Sequence, residues 1–242
     1  MAVETLPAVG RRVHRFSVTE RALHGIHATA FTIMLGSGLV LFLPVLSQVF
    51  GNRPVVKAVH LAVAALWLTA LLLVAILGDQ RILRRTRRQF ESLSRDDLRW
   101  LRSAAARAEP QGRFNGGQKL NAIVQSAFTL LFFVSGTLMW LGERNTTFRL
   151  PGTIALHDLT MVAATGFVIG HVAIALSRTG RPALSGLADG TVPATYAQVH
   201  HGAWNPADEP VEQHGLSPQR ALAAGVVAVA GVIAAALLAG VG

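Results

Sequence analysis

The sequence predicts an all-α membrane protein, with a four-helix transmembrane bundle followed by one additional C-terminal transmembrane helix. The 242 residues are 51% hydrophobic and only 14% charged, whereas soluble domains carry about 25% charged residues. Five apolar stretches are each long enough to cross a bilayer, which takes about 20 residues of helix. The positive charges are concentrated in alternate connecting segments, as expected for a protein that crosses the membrane several times.

The spans fall into two groups. Four of them form the predicted bundle within residues 1–218, and the fifth lies within residues 219–242. From Ala221 to Val241 the fifth span contains only Ala, Gly, Val, Ile and Leu, which favours close packing between helices. The four bundle spans are about 24–49, 55–77, 120–141 and 154–176.

The distribution of Lys and Arg predicts the orientation of these spans. If the N-terminus is cytoplasmic, all but four of the 22 Lys and Arg residues lie in cytoplasmic segments. The positive-inside rule therefore predicts a bacterial inner-membrane protein with its N-terminus in the cytoplasm and its C-terminus outside. Contact with lipid headgroups then accounts for the net charge of +9, and nucleic acid is not expected as a partner. In the second cytoplasmic segment, Ser94 and Asp97 predict the start of a short surface helix.

Five of the nine histidines lie in or at the ends of spans, where ionisable side chains are costly and suggest a function. His157 and His171 are 14 residues apart in the fourth span, which places them about 21 Å apart on one helix face. His60 lies near the outer end of the second span, and His24 near the inner end of the first. The sequence therefore pairs His60 with His157, and His24 with His171, at matching depths.

These two pairs predict two b-type haems at different depths. Imidazole is a common axial ligand of haem iron, and helical bundles hold cofactors between facing helices. The absence of cysteine excludes iron–sulfur clusters held by this chain. His27 follows His24 by three residues on nearly the same face, so it competes for the inner position. For any single histidine, an interhelical hydrogen bond is an equally simple explanation.

Several stretches, taken in order, resemble the gamma subunit of respiratory formate dehydrogenase, a dihaem cytochrome b, over about residues 14–205. The first two contain His24 and His60, the third enters the third span, and the last three form a cytoplasmic tail. The spacing of His157 and His171 also equals the spacing in that family. These stretches are residues 20–24, 59–61, 114–119, 185–190, 196–197 and 200–204.

The resemblance implies the same ligand pairs, with His60 and His157 on the outer haem and His24 and His171 on the inner haem. It favours His24 over His27. The implied function is to receive electrons at the outer haem from an iron–sulfur beta subunit and to pass them across the membrane to quinone. Formate would be oxidised on a molybdenum or tungsten alpha subunit, outside this chain.

The resemblance also implies a quinone site beside the inner haem, near Asn115, Gly117 and Gln118. Asn and Gln side chains offer amide donors and acceptors to quinone carbonyl oxygens. Asn115 could instead be the N-cap of the third span. The sequence departs from the family at Gly25, where an aromatic residue is common, and in the tail, which reads His-His-Gly-Ala-Trp at residues 200–204. The fifth span is also additional to the four-helix form of the family.

Three other functions are weighed against this interpretation. A sister cytochrome b of thiosulfate reductase or of a nickel–iron hydrogenase would have nearly the same site chemistry. A haem-free membrane anchor would keep the spans and the charge pattern while its histidines bind no iron. A proton-coupled transporter is disfavoured, because no path of intramembrane carboxylates accompanies the histidine pairs.

Overall fold

The computed structural model describes residues 10–213 and 215–240. The two chain termini, whose sides of the membrane were predicted, fall in residues 1–9 and 241–242 and so lie outside the described residues. The described part is almost entirely helical, with one short antiparallel pair of strands, β1 (Arg12–His14) and β2 (Thr191–Pro193). The α-helices in chain order are α1 (Val18–Phe42), α2 (Pro44–Phe50), α3 (Arg53–Leu77), α4 (Gln80–Glu91), α5 (Arg95–Arg102), α6 (Gly116–Arg144), α7 (Thr153–Leu176), α8 (Arg181–Ala188), α9 (Ala194–His200) and α10 (Pro218–Gly240).

Five of these helices are long and apolar enough to cross a membrane: α1, α3, α6, α7 and α10. The predicted number of spans and the helical fold class are therefore confirmed for the described residues. Three short 3-10 helices lie in the connections, at Ala106–Ala108, Thr146–Phe148 and Pro206–Asp208.

The first span begins earlier than the hydropathy predicts. Ser17 and Glu20 form a capping box: the Ser17 hydroxyl accepts from the Glu20 backbone N–H at 3.2 Å, and the Glu20 carboxylate accepts from the Ser17 N–H at 3.0 Å. This satisfies two of the donors that a helix start leaves unpaired. The helix therefore starts at Val18, and His24 lies on its second turn.

The same span also ends earlier than predicted. Leu43 precedes Pro44, and the residue before a proline is pushed out of the helical region. Leu43 is accordingly extended, with φ −93° and ψ 114°. The apolar residues that follow form the separate helix α2. The helix that contains most of the predicted first span, about 24–49, therefore runs from Val18 to Phe42.

The chain divides into two compact units, one formed by residues 17–84 and 210–240 and the other by residues 10–16 and 85–209. In the first unit, α3 packs against both α1 and α10. Gly231 of α10 lies directly against the side chain of Thr69 in α3, with no room for a Cβ atom. The additional C-terminal helix is thus packed closely on the second span, as its small-residue composition predicts.

Two carboxylates secure the ends of the helices in this first unit. Glu212 accepts the backbone N–H groups of Val18 and Thr19 at 2.8 and 2.9 Å, where the start of α1 favours negative charge. Asp79 accepts from the backbone N–H of Gln213 at 2.9 Å and pairs with Arg81 at 2.9 Å. The hydrogen bond from Arg81 holds the pKa of Asp79 well below its usual value. The segment before α10 is thereby bonded to the ends of α1 and α3.

In the second unit, α6 packs against α7, and the segment after α7 folds back on the start of the unit. Strand β2 pairs with β1, with Arg12 opposite Pro193 and His14 opposite Thr191. Gly186 of α8 lies against the side chains of Phe16 and Val192. A Cβ atom added at Gly186 would lie 3.1 Å from each of them. The predicted cytoplasmic tail is therefore an integral part of this unit.

A buried arginine cluster, consisting of Arg15, Arg113, His201, Trp204 and Glu209, joins the tail to the loop before α6. The Arg15 side chain donates to the Arg113 carbonyl at 2.8 Å, and the Arg113 side chain donates to the Arg15 carbonyl at 2.5 Å. The Glu209 carboxylate accepts from the Trp204 indole at 2.8 Å and lies 3.6 Å from the Arg113 guanidinium. The cluster thus balances part of its buried positive charge with one carboxylate.

His201 is the residue of this cluster whose ordinary pKa, about 6.5, lies near neutral pH. It is 1% exposed, and its Nδ1 lies 2.7 Å from the carbonyl oxygen of Gly112. Its Nε2 has no hydrogen-bond partner among the described residues. Burial and the nearby positive charge of Arg15 lower the pKa of His201 to about 3. The imidazole is therefore neutral in the folded protein.

We expect the stability of this unit to fall as the pH falls from 7 to 5. The unfolded chain binds a proton at His201 below about pH 6.5, whereas the folded chain does so only near pH 3. Protonation therefore favours unfolding, by about 2 kcal/mol between pH 7 and pH 5. The midpoint of thermal unfolding in detergent, measured over this range, tests the expectation.

The matched variant for this measurement is His201→Asn, whose amide can still donate to the Gly112 carbonyl but does not titrate. Its unfolding midpoint should vary less with pH than that of the wild type. The pKa values of Asp97 and Asp189 are also lowered, but they do not affect stability between pH 7 and pH 5. The stabilisation that comes from such carboxylates is lost only below about pH 4. Equal pH dependence in the two proteins would contradict the assignment to His201.

Candidate functional site

The four predicted haem ligands lie on spanning helices, with two in each unit. His24 is on α1 and His60 on α3 in the first unit, whereas His157 and His171 are both on α7 in the second. Each lies about one to two turns from an end of its helix. Each of these imidazoles therefore lies within a candidate membrane span, near one of its ends.

His60 is held by a serine of the neighbouring helix. Its Nδ1 lies 2.9 Å from the hydroxyl oxygen of Ser37 in α1. The Ser37 hydroxyl donates to the carbonyl of Ile33, four residues earlier, at 2.9 Å. The His60 side chain is only partly exposed, so its ring lies against the α1 surface.

His157 has the corresponding contact in the other unit. Its Nδ1 lies 2.9 Å from the hydroxyl oxygen of Ser135 in α6, and Ser135 donates to the carbonyl of Leu131 at 2.6 Å. The ring of Phe132 meets the imidazole edge to face, with centroids 5.2 Å apart. An added Cβ at Gly136 would lie 3.6 Å from the imidazole, so the ring packs closely on α6.

His24 and His27 have different surroundings although they are one turn apart. His27 packs against Phe31 and Trp67, with ring centroids 5.3 and 5.4 Å away. His24 is exposed, and an added Cβ at Gly25 would meet nothing within 4 Å. The surface beside His24 thus has room for a bulky group, whereas His27 is part of an aromatic contact between α1 and α3.

His171 is exposed on α7, in the same way as His24 on α1. An added Cβ at Gly170 or Gly166 would meet nothing within 4 Å. An exposed imidazole on a spanning helix is costly in lipid unless it meets a cofactor or another polar group.

The predicted quinone residues form the start of α6. Asn115 is its N-cap: the side-chain oxygen accepts from the Gln118 N–H at 2.9 Å, and the Gln118 side-chain oxygen accepts from the Asn115 N–H at 3.1 Å. The capping alternative for Asn115 is thus confirmed. Both side chains bond through their oxygens, so their amide NH₂ groups are the donors that a quinone could use.

A glycine is needed at position 117 because of a contact with a residue that was not predicted to belong to the site. An added Cβ would lie 2.6 Å from the ring of Trp100 in α5, so the glycine admits the indole. The adjacent Lys119 pairs with Asp97 of α5 at 2.8 Å. The capping box predicted for Ser94 and Asp97 is present, and α5 packs on α6 through these contacts.

The comparison with known families matches residues 15–186 to prokaryotic cytochrome b561. The chain belongs to this family. The matched residues contain all four histidines and end before β2 and α10. This cytochrome is therefore a multi-pass protein of the inner membrane that transfers electrons. A search of curated proteins gives no match to the chain.

Membership of the cytochrome b561 family implies that the protein binds haem b. The chemistry of His60 and His157 fits this cofactor. In each case Nδ1 lies at hydrogen-bond distance from a serine hydroxyl, and Nε2 is then the ring nitrogen whose lone pair would bind iron. Within residues 10–213 and 215–240, no group of three or more His, Cys, Asp or Glu side chains could hold a metal ion.

The residues that contact these two histidines were not predicted from the sequence. Neither Ser37 nor Ser135 is among the predicted site residues. A serine in a spanning helix gives little signal, because it commonly bonds to its own helix. Only the packing of α1 on α3, and of α6 on α7, brings each hydroxyl to an imidazole.

Proposed function

We propose that this cytochrome is the dihaem membrane subunit of a formate dehydrogenase complex, which passes electrons from an iron–sulfur subunit across the membrane to quinone. His60 and His157 are the proposed ligands of a haem near the outer surface. His24 and His171 are the proposed ligands of a haem near the cytoplasm. When bound, haem b supplies one-electron transfer, while the protein supplies ligands and their orientation.

The observation that carries this proposal is the placement of the four histidines within a chain of the cytochrome b561 family. Each lies within about two turns of a helix end, and α7 carries one near each of its ends. Electron transfer across a membrane requires carriers near both surfaces. A single structural histidine would not need a counterpart near the opposite end of the same helix.

The choice of His24 over His27 is supported by their different surroundings. The ring of His27 stacks on Phe31 at an interplanar angle of 26° and also contacts Trp67. Binding iron through His27 would break these aromatic contacts, which are typically worth about 0.5 to 1.5 kcal/mol each. The exposed side chain of His24 supports its choice as the ligand.

The positive-inside pattern supports an N-terminus in the cytoplasm, which sets the direction of electron transfer. The order of motifs in the sequence supports formate dehydrogenase as the partner complex, with iron–sulfur and molybdenum or tungsten subunits outside. Reduction of quinone to quinol takes two electrons and two protons. In this proposal the protons enter from the cytoplasm, near the start of α6.

The proposal is tested by the purified complex and by membranes that contain it. We expect two b-type haems per chain in a pyridine haemochrome assay, and reduction of these haems when formate is added to the membranes. Reduction by hydrogen, with no response to formate, would assign the chain to a hydrogenase instead. A folded chain without haem, made with adequate haem supply, would return it to the class of membrane anchors.

For the quinone site, we propose that the amide NH₂ groups of Asn115 and Gln118 donate to the quinone. Asn115→Asp and Gln118→Glu each keep the oxygen that forms the capping box but replace the NH₂ donor. We expect both variants to slow quinone reduction about tenfold or more, because a carboxylate offers no N–H donor and repels a quinone carbonyl oxygen. Both haems should remain, as measured by the reduced-minus-oxidised spectrum.

The matched control for these variants is Asn145→Asp at the other end of α6. Asn145 also caps with its side-chain oxygen, accepting from the Thr147 N–H at 3.0 Å. This change should leave quinone kinetics unaltered. Unaltered kinetics in Asn115→Asp and Gln118→Glu as well would count against a quinone site at the start of α6.

A further inference from the structure

The two units repeat one contact between spanning helices. In the first, Ser37 of α1 bonds to His60 of α3; in the second, Ser135 of α6 bonds to His157 of α7. Both distances between Oγ and Nδ1 are 2.9 Å. The two histidines are also the pair that would share one haem in the function proposed above. The repetition in separately packed units suggests a common role in binding iron.

The single proton of each serine is already committed to its own helix. Ser37 lies 2.9 Å from the Ile33 carbonyl, and Ser135 lies 2.6 Å from the Leu131 carbonyl. A hydroxyl has one proton to donate and two lone pairs that accept. If the serine proton pointed towards the histidine instead, a lone pair of the serine oxygen would face a lone pair of the backbone carbonyl oxygen. The serine oxygen therefore accepts, and Nδ1–H of the imidazole donates.

This assignment fixes the tautomer of both imidazoles. With the proton on Nδ1, the lone pair is on Nε2, which is the form that a metal requires. Ser135 is fully buried, and an unbonded Nδ1–H in such surroundings would carry a desolvation penalty. The serines thus hold each ring in one rotation as well as in one tautomer.

We propose that Ser37 and Ser135 are positioning residues for the two histidines that would hold one haem, and that they would lower its midpoint potential. The proposal rests on the proposed function, in which His60 and His157 ligate the same haem. A hydrogen bond from Nδ1–H makes the imidazole a stronger donor to iron. Stronger donation favours the ferric state over the ferrous state.

The experiment is a redox titration of the purified cytochrome and its Ser37→Ala and Ser135→Ala variants, followed at the haem α band. We expect each variant to raise the midpoint potential of the same haem and to leave the other haem unchanged. If the equilibrium between ferric and ferrous haem moves tenfold towards the ferrous state, the midpoint potential of this one-electron couple rises by about 59 mV. Ser37→Thr, which keeps the hydroxyl, should restore the wild-type potential.

Ser126→Ala is the matched control, because Ser126 also lies on α6 and donates to its own helix, at 2.8 Å from the Ala122 carbonyl. It is exposed and is not bonded to a histidine. The inference is overturned if Ser37→Ala and Ser135→Ala match Ser126→Ala, or if they shift different haems. It also fails if Ser37→Thr behaves as Ser37→Ala.

Histidine variants separate this inference from the proposed function. If His60→Ala and His157→Ala each lose the same haem while the serine variants leave its potential unchanged, only the role of the serines is refuted. If both histidine variants retain two haems, the ligand assignment itself is wrong. The serine variants could instead lose the haem at that site alone. If Ser37→Thr keeps that haem, this result would support the inference just as a shift in midpoint potential would.

Discussion

Replacing His60 or His157 by alanine is expected to remove one of the two proposed haems and to leave the other partly in place. The chain has no cysteine, so each haem is held without a covalent bond to the protein and depends on its axial ligands. A methyl group cannot replace an imidazole on iron. The haem content measured by the pyridine haemochrome assay should therefore fall from two haems per chain to about one.

Two other histidines provide controls for this result. His14 is exposed in β1, outside the spans, and His27 packs against aromatic rings. Alanine at either position should leave both haems in place. Loss of haem in His27→Ala but not in His24→Ala would assign the inner ligand to His27. If His60→Ala or His157→Ala removed only the inner haem, the proposed topology would be inverted.

Replacing Glu209 by glutamine is expected to destabilise the second unit by about 3 to 5 kcal/mol. The Glu209 side chain is 7% exposed and lies 3.6 Å from the Arg113 guanidinium, which is 4% exposed. It also pairs with Arg85 at 3.2 Å and accepts from Trp204. Removing its charge takes away a carboxylate that offsets the buried charge of Arg113. The midpoint of thermal unfolding in detergent measures the loss.

Glu91→Gln is the matched control for Glu209→Gln. Glu91 pairs with Arg87 at 3.4 Å on the exposed face of α4, where the two side chains are 61% and 71% exposed. Such a pair is typically worth about 0.3 to 0.5 kcal/mol. Equal unfolding midpoints for the two variants would show that the Glu209 ion pair does not stabilise the unit. Haem content should stay unchanged in both, because neither residue lies on a helix that carries a proposed haem ligand.

Local patterns in the sequence were enough to predict the helical fold class and the five spans. Hydropathy is summed along the chain, so it does not depend on how helices pack. The capping boxes belong to the same kind of signal. Ser94 with Asp97, and Asn115 as a cap, depend only on residues three positions apart, and both occur in the structure.

Hydropathy alone did not locate the ends of the first span. The capping box at Ser17 begins α1 among polar residues, and Pro44 interrupts a stretch that stays apolar on both sides. Average apolarity changes little at either point. The backbone constraint at Pro44 and the hydrogen bonds at Ser17, not burial in lipid, decide where this helix begins and ends.

The sequence by itself determined the class of protein, the spans and the set of candidate histidines, because composition and spacing are properties of the chain. Only the tertiary structure decided which serine meets which histidine, that His27 belongs to an aromatic contact, and that Arg15 bonds to Arg113, 98 residues away. These contacts depend on how each helix is rotated against its neighbour. That rotation is set by packing over many side chains at once, which no local pattern records.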